Sequence, residues 1–380
     1  MVGFFKRQIR EISQGRELSL YGIALFAVHL LTAYEWRNAG RILGDARNPI
    51  CWPFFENCHV THIWTETGFS AFLLLYGAVS LAGIFYLAKY RGGITAYSLL
   101  ILVNFMKALI TIQDYRFMGN YHYMAYIVEA IYLFIPQKRD ILRVMLVSFY
   151  LAAGSLKLNA EWLSGAALIR PSILPGWVLE IACGYVVVLE LLLIWGILSK
   201  KRWLRFLTAA QLCIFHLFSW HIVGYFYPCI MALLLSIYPL TWFFATDDAF
   251  SLENFKRIQL HPSHALVLGC FLVAQLVPRI LSSDSALTGE GRLLSLNMLD
   301  ALSECRPHAV RRYRGRAIEE DWMAKRLEVR IHCDPIVYYS LAKNICRAEK
   351  ENGEFVDVDV FLTAKRKSNA QYQMVFALDG

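Results

Sequence analysis

Lys157 is the residue best placed to do acid–base chemistry in this chain of 380 residues. It lies in the segment AGSLKLNAEWLSG (153–165), where an apolar stretch meets a polar one. A lysine there is either an anchor whose ammonium reaches water, or a base whose pKa is lowered by poor hydration. If the helix continues, Glu161 follows four residues later and shares its face. Both interpretations of Lys157 stay open on these residues alone.

Other polar residues lie near the same predicted depth, at the outer ends of apolar segments. Each has a structural alternative, such as a helix N-cap or a histidine bonded to a backbone carbonyl. Their shared depth below a folded outer domain instead favours one site. They are Asp114, Asn120, His122, His216 and His221.

Lys107 and Glu129 form a second candidate group, deeper in the predicted membrane. Two apolar segments turn near Met118, and Lys107 lies eleven residues before that point and Glu129 eleven residues after it. At the rise of an α-helix, both lie about 16 Å below the turn and can pair. Such a pair is either a structural clasp or part of a proton route. We favour the clasp, because nothing else in the sequence marks a relay there.

The composition indicates a protein embedded in a membrane. Hydrophobic residues make up 57% of the chain and charged residues only 18%, which excludes an ordinary soluble domain. Apolar runs long enough to cross a bilayer number nine. They are 19–36, 68–88, 94–115, 121–137, 143–159, 176–199, 203–222, 229–245 and 263–281.

Basic residues predict the orientation of these segments, because Lys and Arg concentrate in cytoplasmic loops. They precede the first segment and follow the second, fourth, sixth and eighth, which places the N-terminus inside and the C-terminus outside. The net charge of +8 fits binding to anionic membrane lipids, and no nucleic-acid-binding pattern is present. The basic residues are Lys6, Arg7, Arg10, Arg16, Lys89, Arg91, Lys138, Arg139, Lys200, Lys201, Arg202, Lys256 and Arg257.

The last hundred residues have the composition of a soluble domain. Alternating patterns predict strands at 327–332, 356–364 and 372–378, and a helical pattern covers 335–351. We therefore divide the chain into a transmembrane helical domain (1–281) and an extracytoplasmic α+β domain (282–380). The predicted fold is an α-helical polytopic membrane protein with about nine transmembrane helices and a small C-terminal α+β domain.

The cysteines agree with this topology. Cys51 and Cys58 lie in the first predicted outer loop, where they are either a short disulfide or two unrelated thiols. Cys305, Cys333 and Cys346 lie in the outer tail, which allows a second disulfide and one free thiol. No metal site is expected, because no zinc-ligand spacing is present.

Four segments together carry a resemblance to a known family. They are 153–168 (AGSLKLNAEWLSGAAL), 114–124 (DYRFMGNYHYM), 215–228 (FHLFSWHIVGYFYP) and 287–298 (LTGEGRLLSLNM), and the tail pattern IHCDPIVYYSLAKNI accompanies them. In order and spacing they resemble the vitamin K-dependent γ-glutamyl carboxylases and the related bacterial horizontally transferred transmembrane (HTTM) domain family.

The resemblance implies specific chemistry. Lys157 would be the base that deprotonates a reduced vitamin K or menaquinone, whose reaction with oxygen drives carboxylation of a glutamyl or other carbon acid, a lyase-type activity. The partners would be membrane lipids, the quinone and a protein or peptide substrate on the outer side, with no metal and no nucleic acid. The implied location is the cell membrane of a bacterium, its inner membrane, which the protein would cross several times.

This chain departs from the family pattern at several positions. Counting from Asn120, Tyr121 occupies the position of the family's histidine, and His122 follows one residue later. One residue rotates a helical side chain by about 100°, so Asn120 with either Tyr121 or His122 would assist Lys157. His216 would shape the pocket. The sequence ends at residue 380 without the long extension that holds propeptides in animal carboxylases. We therefore expect the quinone and oxygen chemistry rather than carboxylation of propeptide-bearing substrates.

Three functions thus remain as alternatives. The first is the quinol-dependent, carboxylase-like enzyme. The second is a non-catalytic membrane module that presents its C-terminal domain to a partner, with Lys157 as an anchor. The third is a transporter that uses Lys107 and Glu129, although no inverted repeats or broken helices support it.

Overall fold

The computed structural model describes most of the chain. The described residues are 2–39, 49–55, 58, 66–90, 93–245, 261–281, 284, 287, 295–296, 302–322, 333–349 and 353–379. The predicted strand at 327–332, most of the 287–298 motif and the basic residues Lys256 and Arg257 lie outside them.

The described part is mostly helical. Its helices are α1 (Val2–Gln14), α2 (Arg16–Ala39), α3 (Glu66–Tyr90), α4 (Ile94–Gln113), α5 (Asn120–Phe134), α6 (Lys138–Leu156), α7 (Ala160–Leu163), α8 (Gly176–Leu191), α9 (Arg202–Val223), α10 (Phe226–Leu235), α11 (Ile237–Phe244), α12 (Pro262–Leu281) and α13 (Pro335–Ala348). Short 3-10 helices cover Tyr115–Phe117 and Leu193–Leu198.

Five stretches of helix are long and apolar enough to cross a membrane: Arg16–Arg37, Thr67–Tyr90, Ile94–Gln113, Arg202–Val223 and Phe226–Phe244. The described part of the chain thus has several candidate membrane-spanning helices, which is consistent with the predicted membrane protein. The number nine and the inside–outside orientation stay predictions. Large apolar side chains on α3, α8 and α9 are exposed, such as Phe85, Ile181 and Leu217, as expected of surfaces that face lipid.

α1 is an amphipathic helix that carries the basic residues Lys6, Arg7 and Arg10. Its Ile12 is buried in the main hydrophobic core, while Lys6 and Arg7 are exposed. α1 packs on α2 and α5. The same core continues through α2 to α6 and into α10 and α11.

The C-terminal part contains an antiparallel sheet of four strands in the order β2-β1-β3-β4. The strands are β1 (Ser303–Tyr313), β2 (Arg316–Asp321), β3 (Phe355–Arg366) and β4 (Gln373–Leu378). The predicted strands at 356–364 and 372–378 are confirmed as parts of β3 and β4, and the helix predicted at 335–351 is α13. β1 and β2 were not predicted from the sequence.

The described residues 49–55 of the first predicted outer loop pack against this sheet and α13. Ile50, Trp52 and Tyr115 share a hydrophobic core with residues of β1, β3 and α13. The Tyr115 hydroxyl donates to Asp334 Oδ2 at 2.7 Å, and Asp334 also caps α13 by accepting from the Ile336 N–H. The sheet is therefore tied to the turn between α4 and α5.

Two disulfides stabilise the same region. Cys51 pairs with Cys58, so the disulfide interpretation of the first outer loop is confirmed. Cys305 pairs with Cys333, and Cys346 is a free, exposed thiol.

Candidate functional site

The segment that carries Lys157 is a helix end rather than a continuous helix. α6 ends at Leu156, and the Lys157 N–H donates to the Gly154 carbonyl. Asn159 is extended and caps α7, with its Oδ1 accepting from the Trp162 N–H at 2.9 Å. The face that Lys157 and Glu161 would share on one helix is therefore not formed. Glu161 is buried, and its Oε2 makes no hydrogen bond within the described residues.

The polar partner of the Lys157 ammonium is Glu190 of α8. Lys157 Nζ donates to Glu190 Oε1 and Oε2, each at 2.5 Å. Lys157 is 3% exposed and Glu190 2%, so the ammonium does not extend into water as a snorkelling anchor would. A glycine makes this closeness geometrically allowed, because a Cβ on Gly154 would lie 2.9 Å from Glu190 Cβ. The approach of α6 to α8 thus brings the two charges together.

A histidine and a tyrosine lie beside this ion pair. Tyr150 Oη and His216 Nε2 are 2.6 Å apart, whereas His216 Nδ1 is buried and makes no hydrogen bond within the described residues. Electrostatic interactions connect His216 with Lys157, and Tyr150 with Glu190. We call Lys157, Glu190, Tyr150 and His216 the Lys157 cluster.

Aromatic rings surround the Lys157 cluster. The Lys157 ammonium lies 5.0 Å from the centroid of the Trp162 ring and 5.7 Å from that of Phe215. The ring of Tyr227 lies 5.7 Å from the His216 ring. Cations are attracted to such ring faces, so the rings stabilise the charge without adding a second acceptor.

Lys107 and Glu129 meet as predicted, but in a larger group. Lys107 Nζ lies 3.7 Å from Glu129 Oε2, and His29 Nε2 lies 3.2 Å from Glu129 Oε1. His29 Nδ1 is 2.5 Å from the Tyr76 hydroxyl oxygen. We call these four fully buried residues the Glu129 cluster. The Glu129 oxygens lie within ion-pair distance of Lys107 and His29. They nevertheless make no well-aligned hydrogen bond in the described part of the chain.

His122, Tyr121 and Asn120 do not join the Lys157 cluster. None of them is a hydrogen-bond, ion-pair or ring partner of Lys157 in the described ranges. The buried His122 ring lies 5.0 Å from Trp36 and 4.6 Å from Tyr121, and it interacts electrostatically with Lys107 and His29. Asn120 is the first residue of α5. The structure therefore places His122 next to the Glu129 cluster.

The other two predicted support residues have local roles. Asp114 forms an ion pair with Arg116 at 2.6 Å and caps the 3-10 helix Tyr115–Phe117. His221 Nδ1 faces the Phe218 carbonyl one helical turn away. Both fit the structural alternatives given above for polar residues at segment ends.

Four residues of these clusters were missed in the sequence. Glu190, His29, Tyr76 and Tyr150 each lie inside an apolar segment. Glu190 and His29 carried a usable signal, since an ionisable residue in such a segment is costly without a partner. Tyr76 and Tyr150 carried none, because a tyrosine in an apolar helix is ordinary.

The chain was also compared with family models, with curated proteins and with solved structures, and none of the three comparisons found a match. Among the described residues, no group of three or more His, Cys, Asp or Glu side chains is arranged to hold a metal ion.

Proposed function

We propose that the protein is a membrane-embedded acid–base enzyme of the carboxylase-like type, with Lys157 as its base. The observation that supports this most directly is the buried Lys157–Glu190 pair, in which one ammonium meets both oxygens of one carboxylate at 2.5 Å. Such a pair is expensive in an apolar interior, and ionisable residues in membrane segments commonly serve function.

The pair gives Lys157 a route to its neutral form. If one N–H proton moves from Lys157 to Glu190, the products are an uncharged amine and an uncharged carboxylic acid. Because desolvation disfavours both charged forms, this transfer lowers the cost of burying the pair while the net charge stays zero. The amine lone pair can then accept a proton from an acidic hydroxyl, and Lys157 becomes an ammonium again beside the anion that it has produced.

Tyr150 orients the imidazole of His216, which can act as a hydrogen-bonding group beside Lys157. The Tyr150 hydroxyl holds one edge of the imidazole through a hydrogen bond with Nε2. The other ring nitrogen, Nδ1, is buried without a hydrogen-bond partner in the described residues, so it can bond a substrate hydroxyl. Lys157 and His216 would together hold a hydroxyl between a base and a hydrogen-bonding imidazole.

A reduced isoprenoid quinone fits this set of side chains. The aromatic rings of Trp162, Phe215 and Tyr227 suit a planar ring, His216 Nδ1 suits one hydroxyl, and the apolar helices suit a lipid-soluble tail. When bound, a reduced vitamin K or menaquinone supplies the acidic hydroxyl and, with oxygen, the oxidising chemistry of the family that the sequence resembles. Membership of the HTTM domain family is part of the same proposal.

The test is epoxide formation by the purified protein in phospholipid nanodiscs supplied with reduced vitamin K or menaquinone, oxygen and bicarbonate. We expect the wild type to form epoxide and Lys157→Ala to lose about 100-fold or more, the usual range for removal of a general base. Lys107→Met, which removes the other membrane-buried lysine described above, is the matched control and should retain epoxide formation. Equal rates in Lys157→Ala and the wild type would rule out the base assignment. No epoxide from a folded wild type would favour the non-catalytic module.

A further inference from the structure

Four different helices each bring one polar side chain to the Glu129 cluster. His29 comes from α2, Tyr76 from α3, Lys107 from α4 and Glu129 from α5, and all four are fully buried. Polar groups from four helices do not meet by chance in an apolar interior, because each costs free energy unless it is compensated. The cluster therefore needs a functional explanation of its own, separate from that of the Lys157 cluster.

The contacts form an ordered chain of polar groups, in which His29 Nε2 and Glu129 Oε1 lie within ion-pair distance but are not aligned as a hydrogen bond in the described residues. With the His29 ring proton on Nε2, 3.2 Å from Glu129 Oε1, Nδ1 is left to accept from the Tyr76 hydroxyl at 2.5 Å. This arrangement lets an imidazole pass a proton from one side of its ring to the other. Lys107 lies on the far side of the carboxylate, 3.7 Å from Oε2.

We infer that the Glu129 cluster is a proton-binding site. One proton enters at the Tyr76 oxygen as the Tyr76 hydroxyl proton moves to His29 Nδ1, and the Nε2 proton moves to Glu129 Oε1. The products are a neutral tyrosine, a neutral imidazole and a neutral carboxylic acid beside the Lys107 ammonium. One proton has been gained, and no other bond has formed or broken.

The spacing in the cluster suits reversible binding better than a permanent clasp. A clasp gains most from short, direct bonds, such as the 2.5 Å bonds between Lys157 and Glu190. The nearest nitrogens of Lys107 and His29 instead lie 3.7 and 3.2 Å from the Glu129 carboxylate. Neither neighbour is so close that Glu129 must remain an anion.

His122 places a further ring nitrogen on the outer side of the site. It precedes Glu129 by seven residues on α5, which puts both on one helix face about 10 Å apart in depth. His122 interacts electrostatically with Lys107 and His29. Among the residues that the structure describes, Tyr21 of α2 and Tyr126 of α5 also face the cluster, and the Tyr126 ring lies 4.2 Å from Lys107 Nζ. Proton access is therefore expected from the predicted outer side.

The test counts protons taken up by purified protein in nanodiscs. A weakly buffered sample is shifted from about pH 8 to about pH 6 with a soluble pH indicator, a range chosen around histidine and perturbed carboxylate titration. We expect Glu129→Gln to take up about one proton per chain fewer than the wild type. The double variant Lys107→Met with Glu129→Met should lose the same proton, and it leaves no uncompensated charge if Glu129→Gln fails to fold.

The matched control is Glu35→Gln, which removes a carboxylate at the outer end of α2 that is bonded by the Tyr225 hydroxyl at 2.6 Å. Its uptake should equal that of the wild type. Infrared difference spectra should assign the added proton to a carboxylic acid that Glu129→Gln abolishes. If the folded double variant takes up as many protons as the wild type, the site is a clasp and the inference is wrong. Epoxide formation is not measured here, so this outcome is separate from the fate of the proposed enzyme.

Discussion

The Lys157 cluster and the Glu129 cluster contain the same four residue types in different geometries. Each buries a lysine, a glutamate, a histidine and a tyrosine. Lys157 meets Glu190 at 2.5 Å on both oxygens, whereas Lys107 lies 3.7 Å from Glu129 and shares it with His29. The Lys157–Glu190 pair is closed, in that both carboxylate oxygens bond the one ammonium. The Glu129 carboxylate instead lies between the nitrogens of Lys107 and His29.

Backbone packing explains much of this difference. Gly154 lets α6 approach α8 closely, and Lys157 lies just beyond the last residue of α6. Lys107 and Glu129 instead lie within regular helices, where the distance between helix axes fixes how far the side chains must reach. Equal residue types therefore give a tightly bonded ion pair in one place and an adjustable group in the other.

The largest effect should follow from breaking the closed pair. Lys157→Met leaves the Glu190 carboxylate buried without its cation, which costs about 3–5 kcal/mol in the free energy of unfolding. The double variant Lys157→Met with Glu190→Met should recover most of that loss, because no buried charge remains. Reversible unfolding in mixed micelles measures both. A double variant no more stable than the single one would contradict the closed-pair description.

A smaller loss is expected in the Glu129 cluster. Lys107→Met removes a cation 3.7 Å from Glu129 but leaves His29 at 3.2 Å, so we expect a cost of about 1–3 kcal/mol by the same unfolding measurement. His29→Leu serves as the companion variant, and combining it with Lys107→Met should cost more than the sum of the two. A loss for Lys107→Met as large as that of Lys157→Met would remove the distinction between the clusters.

The two tyrosines offer a matched comparison of single hydroxyl groups. Tyr150→Phe and Tyr76→Phe each remove one hydrogen bond to a histidine, at a cost of about 0.5–1.5 kcal/mol in unfolding free energy. Only Tyr150→Phe should reduce epoxide formation, because Tyr76 belongs to the other cluster. Equal reductions by the two variants would join the clusters into one functional unit.

A separate, pH-dependent effect concerns a third buried lysine, Lys138, at the start of α6 and before the predicted span 143–159. Its ammonium bonds Gln8 and the Ile135 carbonyl, while Glu11 lies 4.0 Å away. Burial lowers the pKa of Lys138 to about 8 from an ordinary 10.5, and Glu11 opposes part of that shift. Between these values the unfolded chain holds a proton that the folded chain has lost, so stability should rise with pH across this window.

Unfolding measured from about pH 8 to about pH 10 tests this expectation for Lys138. Lys138→Met is the control and should abolish the part of the slope that this lysine contributes. A wild-type stability that falls across the window while the control is flat would contradict the role of burial at this lysine.

The sequence predicted depth better than lateral position. Counting residues from the turn near Met118 placed Lys107 and Glu129 together, since helix rise alone fixes depth. It could not identify Glu190 as the partner of Lys157, because sequence spacing does not tell which helices lie side by side. The helix face that Lys157 and Glu161 would share on a continuous helix is not formed, because Asn159 caps a new helix.

The C-terminal strands show the same limit in another form. β3 and β4 were predicted from alternating apolar residues that cover one face of the sheet. β1 and β2 were not, because Arg, Glu and His interrupt the alternation where the strands are exposed. The predicted outer position of the cysteines allowed disulfides without requiring them, so both pairings needed the structure.

The hydrophobic core beneath the C-terminal sheet has a consequence for folding. It joins Trp52 to Val360, two residues that lie far apart in the sequence. Because the chain is made from its N-terminal end, Trp52 gains this neighbour only after all the helices between the two residues have been made. Until then, the residues around Cys51 lack the neighbours that bury them in the folded protein.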